Sequence, residues 1–239
     1  MRILAFDTAT RATSVALDEL ELRDDPPGGV RPRHTTRLMP LIVELLERTE
    51  TQWSELDRIA VGLGPGTFTG LRIGVATARS LSRARGIPLV GVSTLESLAL
   101  NASGEHAAAA RTNEREDPEA VLAVLDARRK EVFAAGWELA QPQRQLLGPG
   151  AFAPEDLAQR LAGFARRTLA IGEGAVEFRA VLERAGALIP ADGSTLNRVT
   201  AVNHARLARK LAATDPNEIR PEYLRLPDAE LARLQTGTR

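Results

Sequence analysis

A glycine-rich segment at residues 62–70 constrains the fold more than any other part of the chain. It follows the short apolar run Ile59–Val61 and precedes a stretch of helical spacing that ends before Gly86. A further apolar run occupies residues 88–92. Glycine at such a junction ends one element and opens the next, so this region predicts a strand, a tight turn, a helix and a second strand. The chain is therefore expected to contain α/β units.

The segment 62–70 has two possible roles. A glycine turn before a helix N-terminus can bind phosphate, because free N–H groups and the helix dipole point at the ligand. The segment nevertheless lacks both the Gly-x-Gly-x-x-Gly spacing and the lysine of a Walker loop. Gly70, Gly74 and Ala78 recur at four-residue steps, which favours close packing against another element. Both interpretations stay open at this stage.

Similar patterns recur along the rest of the chain. Apolar runs at 3–6 and 13–17 predict two strands joined by a polar turn, and residues 18–33 predict a loop or a ragged edge hairpin. Residues 121–125 and 131–139 predict an antiparallel pair. The segment 101–119 turns Ala-rich and then charged, which is typical of a boundary between domains. Two similar α/β lobes follow from this order of elements.

Composition excludes several classes of function. The 31 basic and 31 acidic residues balance, so no global field draws the chain to nucleic acid or to a membrane. There is no cysteine, which excludes disulfides and thiolate metal sites, and three histidines make a multi-histidine metal site improbable. The apolar stretch Leu38–Leu46 is too short to span a membrane, and Asp7 interrupts any signal-peptide core. We expect a cytoplasmic protein.

Other polar residues each allow a chemical and a structural interpretation. Asp7, at the end of the first strand, could hold magnesium or phosphate, or could form a turn. Asp126 and Glu131 could perform acid–base work, or could form surface ion pairs with Arg128 at a hairpin tip. His34 precedes a helix, where a capping or interface role competes with metal binding or catalysis. The structural alternative is the favoured one in each case.

The helix predicted at 36–49 is apolar almost all round. An amphipathic surface helix would show a polar face here. One interpretation is a core helix covered by its own fold. The other is a helix with one face on the sheet and one face on a partner.

Several of these segments, in order, resemble the bacterial TsaB (YeaZ) family. Residues 1–17 are similar to its opening and residues 34–40 to its first helix. Residues 64–74 carry the most specific match. Further matches follow in the expected order at residues 91–96, 126–133 and 221–225.

This resemblance implies an actin-like ATPase architecture, with two ribonuclease-H-like lobes built from mixed sheets flanked by helices. The implied domains are an N-terminal lobe at 1–105 that carries the pairing helices, a C-terminal lobe at 106–215 and a tail at 216–239.

The resemblance also implies a function in tRNA modification. TsaB supports the addition of threonylcarbamoyl to N6 of the adenosine 3′ of the anticodon in tRNAs that read ANN codons. It is not itself the catalyst: it forms a heterodimer with its paralogue TsaD, works with the ATPase TsaE and reaches tRNA through the complex, and it can form a homodimer. No cofactor is expected on this chain alone, while ATP and a metal act elsewhere in the complex.

The resemblance, together with the apolar helix, places residues in two groups. The predicted partner interface contains His34, Leu38, Leu41, Ile42, Leu45, Gly70, Ile73, Gly74, Thr77 and Ala78. Degenerate phosphate-loop positions are Asp7, Thr8, Gly64, Gly66 and Thr67. No catalytic or metal-binding residue is predicted, since Leu38 stands where a His-x-x-x-His pair with His34 would need a second imidazole, which also disfavours a metalloprotease. The alternative hypothesis is an actin-like nucleotide-binding ATPase or kinase that uses Asp7 and the loop 64–70.

Overall fold

The computed structural model describes residues 1–103 and 117–225 of the chain. The predicted lobe boundary at 105/106 and the tail beyond residue 225 lie outside the described residues. In the first part, the strands and helices are β1 (Ile3–Asp7), β2 (Thr13–Leu17), β3 (Leu20–Asp24), α1 (His34–Arg48), β4 (Arg58–Gly64), α2 (Phe68–Arg85), β5 (Leu89–Ser93) and α3 (Thr94–Ala99), with short 3-10 turns at Trp53–Glu55 and Leu100–Ala102.

The second part repeats the alternation of strands and helices. Its elements are β6 (Ala120–Arg128), β7 (Glu131–Glu138), β8 (Gln145–Phe152), α4 (Pro154–Ala162), β9 (Thr168–Ile171), α5 (Glu173–Glu177), α6 (Arg179–Arg184), β10 (Ala187–Leu188) and α7 (Ala201–Ala208), with a 3-10 turn at Thr195–Asn197.

The two five-stranded sheets have the same strand order. The first reads β3-β2-β1-β4-β5 and the second β8-β7-β6-β9-β10. In both, the first three strands of the lobe pair antiparallel, the fourth pairs parallel with the first, and the fifth pairs parallel with the fourth. This repetition confirms the predicted fold class of two lobes with mixed sheets flanked by helices.

Each sheet is covered on both faces. In the first sheet, Phe6 and Val61 face a cluster formed with α1 and α2, whereas Ala5 and Val90 face α7. In the second sheet, alternate residues of β6 pack against α3 on one face and against α4, α5 and α6 on the other. Burial on both faces explains why these strands read as continuous apolar runs. Although α7 follows the second lobe in sequence, it packs on the first sheet.

Local sequence signals set several helix ends. Gly86 adopts a left-handed conformation (φ 67°) after α2, the Ser93 side chain accepts a hydrogen bond from the Glu96 amide, and Pro154 opens α4. In the uncertain region 18–33, the structure forms β3 and so bears out the edge-hairpin alternative. Sequence reasoning missed β8, whose Gly148, Pro149 and Gly150 disfavour a strand; as an edge strand it tolerates a proline.

No helix among the described residues has the length and apolarity that a membrane crossing requires.

Candidate functional site

The carboxylate of Asp7 lies at the end of β1, where nearly all of its surface is covered. Its Oδ1 accepts a hydrogen bond from the Ala9 amide (2.8 Å) and its Oδ2 accepts one from the Thr94 hydroxyl (3.2 Å). Nε2 of His204, on α7, lies 3.1 Å from the same Oδ2. Burial raises the pKa of Asp7, but the hydrogen bond and charge of His204, with the Ala9 and Thr94 bonds, outweigh burial and hold this pKa below its usual value.

His204 is a site residue that sequence reasoning did not single out. It is fully buried, and its Nδ1 lies 2.8 Å from Ser97 Oγ and 3.0 Å from the Thr200 carbonyl oxygen. The imidazole thus lies between Ser97 and the Thr200 carbonyl oxygen on one side and the Asp7 carboxylate on the other. No local sequence signal singled out His204, because its partner Asp7 is remote along the chain.

The segment 64–70 packs directly on the turn that follows β1. The Thr67 amide donates to the Ala9 carbonyl oxygen (2.7 Å), and the Thr8 hydroxyl donates to the Gly70 carbonyl oxygen (2.7 Å). A Cβ atom on Gly70 would lie 1.9 Å from the Thr8 carbonyl oxygen, and one on Gly66 would lie 2.4 Å from that of Ala9. Glycine is therefore required here for close backbone contact.

These contacts bear on the predicted phosphate-loop positions. The structure brings Asp7, Thr8, Gly66 and Thr67 together, whereas Gly64 faces the Glu222 carbonyl oxygen and Leu71. The Thr67 amide and the Thr8 hydroxyl, which could otherwise contact a phosphate, are instead bonded to the carbonyl oxygens of Ala9 and Gly70. The geometry favours the close-packing interpretation of the glycines.

His34 is a buried structural histidine. It opens α1, is 4% exposed, and its Nδ1 lies 2.9 Å from the Thr13 hydroxyl on β2. Burial lowers its pKa, although the charge of Asp7, a backbone bond to Thr10 and the charge of Asp24 act in the opposite direction. Within residues 1–103 and 117–225, no three His, Cys, Asp or Glu side chains form a cluster able to hold a metal ion.

The apolar residues of α1 that were predicted to meet a partner lie in the core of the chain itself. Leu38, Leu41, Ile42 and Leu45 are 0–3% exposed and pack with β1, β2 and β4. These four side chains face the sheet and have almost no exposed surface in the chain alone, whereas their predicted contact with a partner stays a prediction.

The small residues of α2 are buried as well. Gly70 and Gly74 pack against Thr8, and Ala78 lies in the core, while Ile73 and Thr77 are half-buried. On α1, the side chains that remain accessible are Met39, 39% exposed, and Val43, 44% exposed, beside Pro40. The accessible apolar surface of α1 therefore consists of these residues.

The two carboxylates of the hairpin between β6 and β7 form ion pairs, which is the structural interpretation of these residues. Asp126 accepts a hydrogen bond from the Arg128 amide (2.6 Å) and forms an ion pair with its guanidinium (2.8 Å). Glu131 pairs instead with Arg225 (2.6 Å), near the end of the described chain. The two carboxylates thus serve separate ion pairs.

A cleft of about 210 Å³ lies between the lobes, lined on one side by Thr10, Arg11 and Arg23 and on the other by Glu173 and Arg198. Burial, followed by the charge of Asp126, raises the pKa of Glu173 to about 7, although Arg128 and Arg11 act in the opposite direction. Sequence reasoning did not find Glu173, because its environment comes from both lobes.

Comparisons with known proteins bear on the family. The family model for TsaD, tRNA N6-adenosine threonylcarbamoyltransferase, matches residues 16–179. The Escherichia coli tRNA threonylcarbamoyladenosine biosynthesis protein TsaB is 38% identical over 58% of this chain. The YeaZ structure from Pseudomonas aeruginosa superposes with a TM-score of 0.70 at 26% identity, over 93% of this chain and 100% of that one.

The chain belongs to the TsaB (YeaZ) family. An uncharacterized Mycobacterium tuberculosis protein is 32% identical over 95% of this chain and 93% of its own length. The match with the E. coli TsaB covers 55% of that protein. The chain thus spans only about half the length of the E. coli relative, but nearly all of the mycobacterial one.

Proposed function

We propose that this TsaB-family chain is a non-catalytic subunit in the threonylcarbamoylation of tRNA. In this proposal it pairs with a TsaD-type catalytic subunit, supports the transfer to N6 of the adenosine 3′ of the anticodon in tRNAs that read ANN codons, and works with the ATPase TsaE. The observation that carries the non-catalytic part is the self-contained network around Asp7. A group that acts on a substrate has to be reachable, and Asp7 is not.

The nucleotide hypothesis is weakened by the same network. An actin-like ATPase or kinase would need the Asp7 carboxylate and the loop 64–70 to face an open site for phosphate and metal. Here Asp7 faces His204 and Thr94, and the Thr8 hydroxyl is bonded to Gly70. Binding of ATP to the chain alone would require these contacts to open. We therefore propose that the chain alone holds no cofactor.

The exposed apolar residues of α1 support the pairing part of the proposal. Met39 and Val43 are four residues apart and thus share one face of the helix. Ile73 and Thr77 on α2, also four apart, lie half-buried on the neighbouring helix. A two-helix apolar face fits a partner that offers a similar pair of helices, namely a TsaD paralogue or a second copy of this chain.

The test is reconstitution with the TsaD protein of the same organism. The wild-type chain is expected to co-elute with TsaD on a sizing column and to be required for full tRNA threonylcarbamoylation in the presence of TsaE. Met39→Glu with Val43→Glu should abolish co-elution without unfolding the chain. The matched control is Leu188→Glu, an equally exposed leucine (39%) in the second lobe.

Two results would overturn the proposal. Full TsaD activity without this chain would remove the supporting role. Tight ATP binding by the isolated chain, lost on Asp7→Asn, would favour the nucleotide-binding alternative.

A further inference from the structure

Helix α2 carries an unusual distribution of charge. Its 18 residues include Arg72, Arg79, Arg83 and Arg85 but no aspartate or glutamate. The whole chain has a formal net charge of zero, so this helix is a local concentration of positive charge and not a reflection of composition. A local concentration of this kind can attract an anionic partner where the net charge cannot.

Three of these arginines lie on one side of the helix. At 3.6 residues per turn, Arg72, Arg79 and Arg83 fall within about 60° of one another, on the same side as Phe68. Ile73 and Leu81 point elsewhere and pack against the core shared with α1. The surface formed by Arg72, Arg79 and Arg83 is called the arginine strip below. It is distinct from the apolar edge that faces α1.

No carboxylate of the described residues neutralises the arginine strip. Several exposed arginines elsewhere are paired with carboxylates: Arg144 with Glu138 (3.1 Å), Arg206 with Glu19 and Arg209 with Asp18 (2.7 Å). Among residues 1–103 and 117–225, no carboxylate lies within 4.0 Å of a guanidinium of the strip, although Asp215, Glu218 and Glu222 belong to the neighbouring C-terminal segment. Arg83 does donate to the side-chain oxygen of Asn217, but that group is neutral and leaves the charge of the strip unchanged.

Two exposed aromatic rings hold Arg72 in one orientation. Its guanidinium lies 3.7 Å from the centre of the Phe68 ring, and its Nε donates to the Tyr223 hydroxyl (3.2 Å). The two rings are themselves in contact, with centroids 5.2 Å apart. The terminal Nη donors of Arg72 make no hydrogen bond to the described residues. A fixed guanidinium with open Nη donors is well suited to bidentate recognition of a phosphate.

We propose that the arginine strip binds the phosphate backbone of the RNA on which the complex acts. This inference rests on the proposed function. The strip extends about 16 Å along the helix axis, a length that corresponds to about five phosphate steps of one strand in a regular duplex. Guanidinium groups without a carboxylate partner among the described residues favour an anionic ligand. The tRNA-modifying members of the family make RNA the anion that we propose. Phe68 and Tyr223 act as positioning residues for Arg72.

The test compares two triple variants of equal charge in the reconstituted complex. One is Arg72→Gln, Arg79→Gln and Arg83→Gln; the control is Arg144→Gln, Arg206→Gln and Arg209→Gln, which removes three arginines from ion pairs. Binding of an unmodified tRNA transcript is measured against salt concentration. Each phosphate contact adds about 0.7–0.9 to the slope of log K against log salt, so loss of the strip should lower the slope by about 2–3 and the affinity at least about tenfold. A third variant, with lysines in place of Arg72, Arg79 and Arg83, should retain most of the slope.

Three other results would each contradict the inference. Equal weakening by both triple variants would show an effect of net charge only. An unchanged affinity in both would show that RNA does not contact the strip. If the strip variant loses TsaD while the control keeps it, the strip is a protein interface. Threonylcarbamoylation that still requires the chain in these cases would leave the proposed function standing.

Discussion

Nε2 of His204 lies 3.1 Å from Oδ2 of Asp7, and both side chains are buried at the junction between α7 and the first sheet. This contact attaches a helix from the end of the chain to its first strand. It also occupies the carboxylate that the nucleotide hypothesis would need. The charges of a buried pair offset each other only while both partners are present.

We therefore expect His204→Gln to destabilise the chain by about 3–5 kcal/mol, because the buried Asp7 carboxylate would lose the imidazole and keep only its bonds to Ala9 and Thr94. Asp7→Asn should cost less, since an amide still accepts from Ala9. Urea denaturation at neutral pH measures both. A loss below about 1 kcal/mol for His204→Gln would show that the pair is not charged in the folded protein.

The contact between Asp7 and His204 also predicts that the stability of the folded chain falls at acid pH. Since the pKa of Asp7 is lowered on folding, its contribution to stability is present above the unfolded value near 4 and is lost as pH falls through the lowered folded value. Denaturation of wild type and Asp7→Asn at a series of pH values should show curves that converge in acid. Parallel curves would assign the acid sensitivity to other carboxylates.

Gly70 should not tolerate a side chain. Gly70→Ala places a Cβ atom 1.9 Å from the Thr8 carbonyl oxygen, so either the turn after β1 or the start of α2 has to move. We expect a loss of about 3 kcal/mol, at the upper end for overpacking. Gly148→Ala is the control, because a Cβ atom at that position would have nothing within 4 Å of it. Thermal denaturation that affects both variants equally would contradict the required contact.

The two faces of α1 should respond differently to truncation. Leu41→Ala creates a cavity in the core and should cost about 2–5 kcal/mol. Val43→Ala, on the exposed face, should change stability by no more than about 0.5 kcal/mol. Equilibrium unfolding of the two variants distinguishes the faces, and similar losses would mean that the helix is turned differently.

The raised pKa of Glu173 predicts that the folded chain loses stability as pH rises. Its folded pKa of about 7 exceeds the ordinary value of 4.5, so the folded state retains a proton that the unfolded state releases between these values. The cost is absent below about pH 4.5 and complete above about pH 7. Glu173→Gln should therefore be more stable than wild type at pH 8, by about 1–3 kcal/mol, and nearly equal to it at pH 4. Denaturation at both pH values is the measurement; an equal difference at the two would exclude Glu173 as the cause.

The sequence determined the local elements of this protein. Glycines and capping residues set the ends of α2 and α3, and apolar runs located most strands, because these signals act over a few residues. Motifs in order also indicated the TsaB family. The central segment Leu38–Val43 of α1, however, is apolar on every side, so its sequence does not show which side chains face the core. Only packing against β1, β2 and β4 decided that Leu38 and Leu45 face the sheet and Met39 and Val43 face outward.

Tertiary structure alone decided the contacts between remote residues. His204 meets Asp7 because α7 returns to the first sheet, and Glu21 accepts from the Ala201 amide (2.9 Å) because β3 lies at the start of that helix. Likewise, Arg72 is held between Phe68 and the distant Tyr223. No local pattern encodes such pairs. They depend on how separate elements pack, and that packing is fixed by the burial of whole faces.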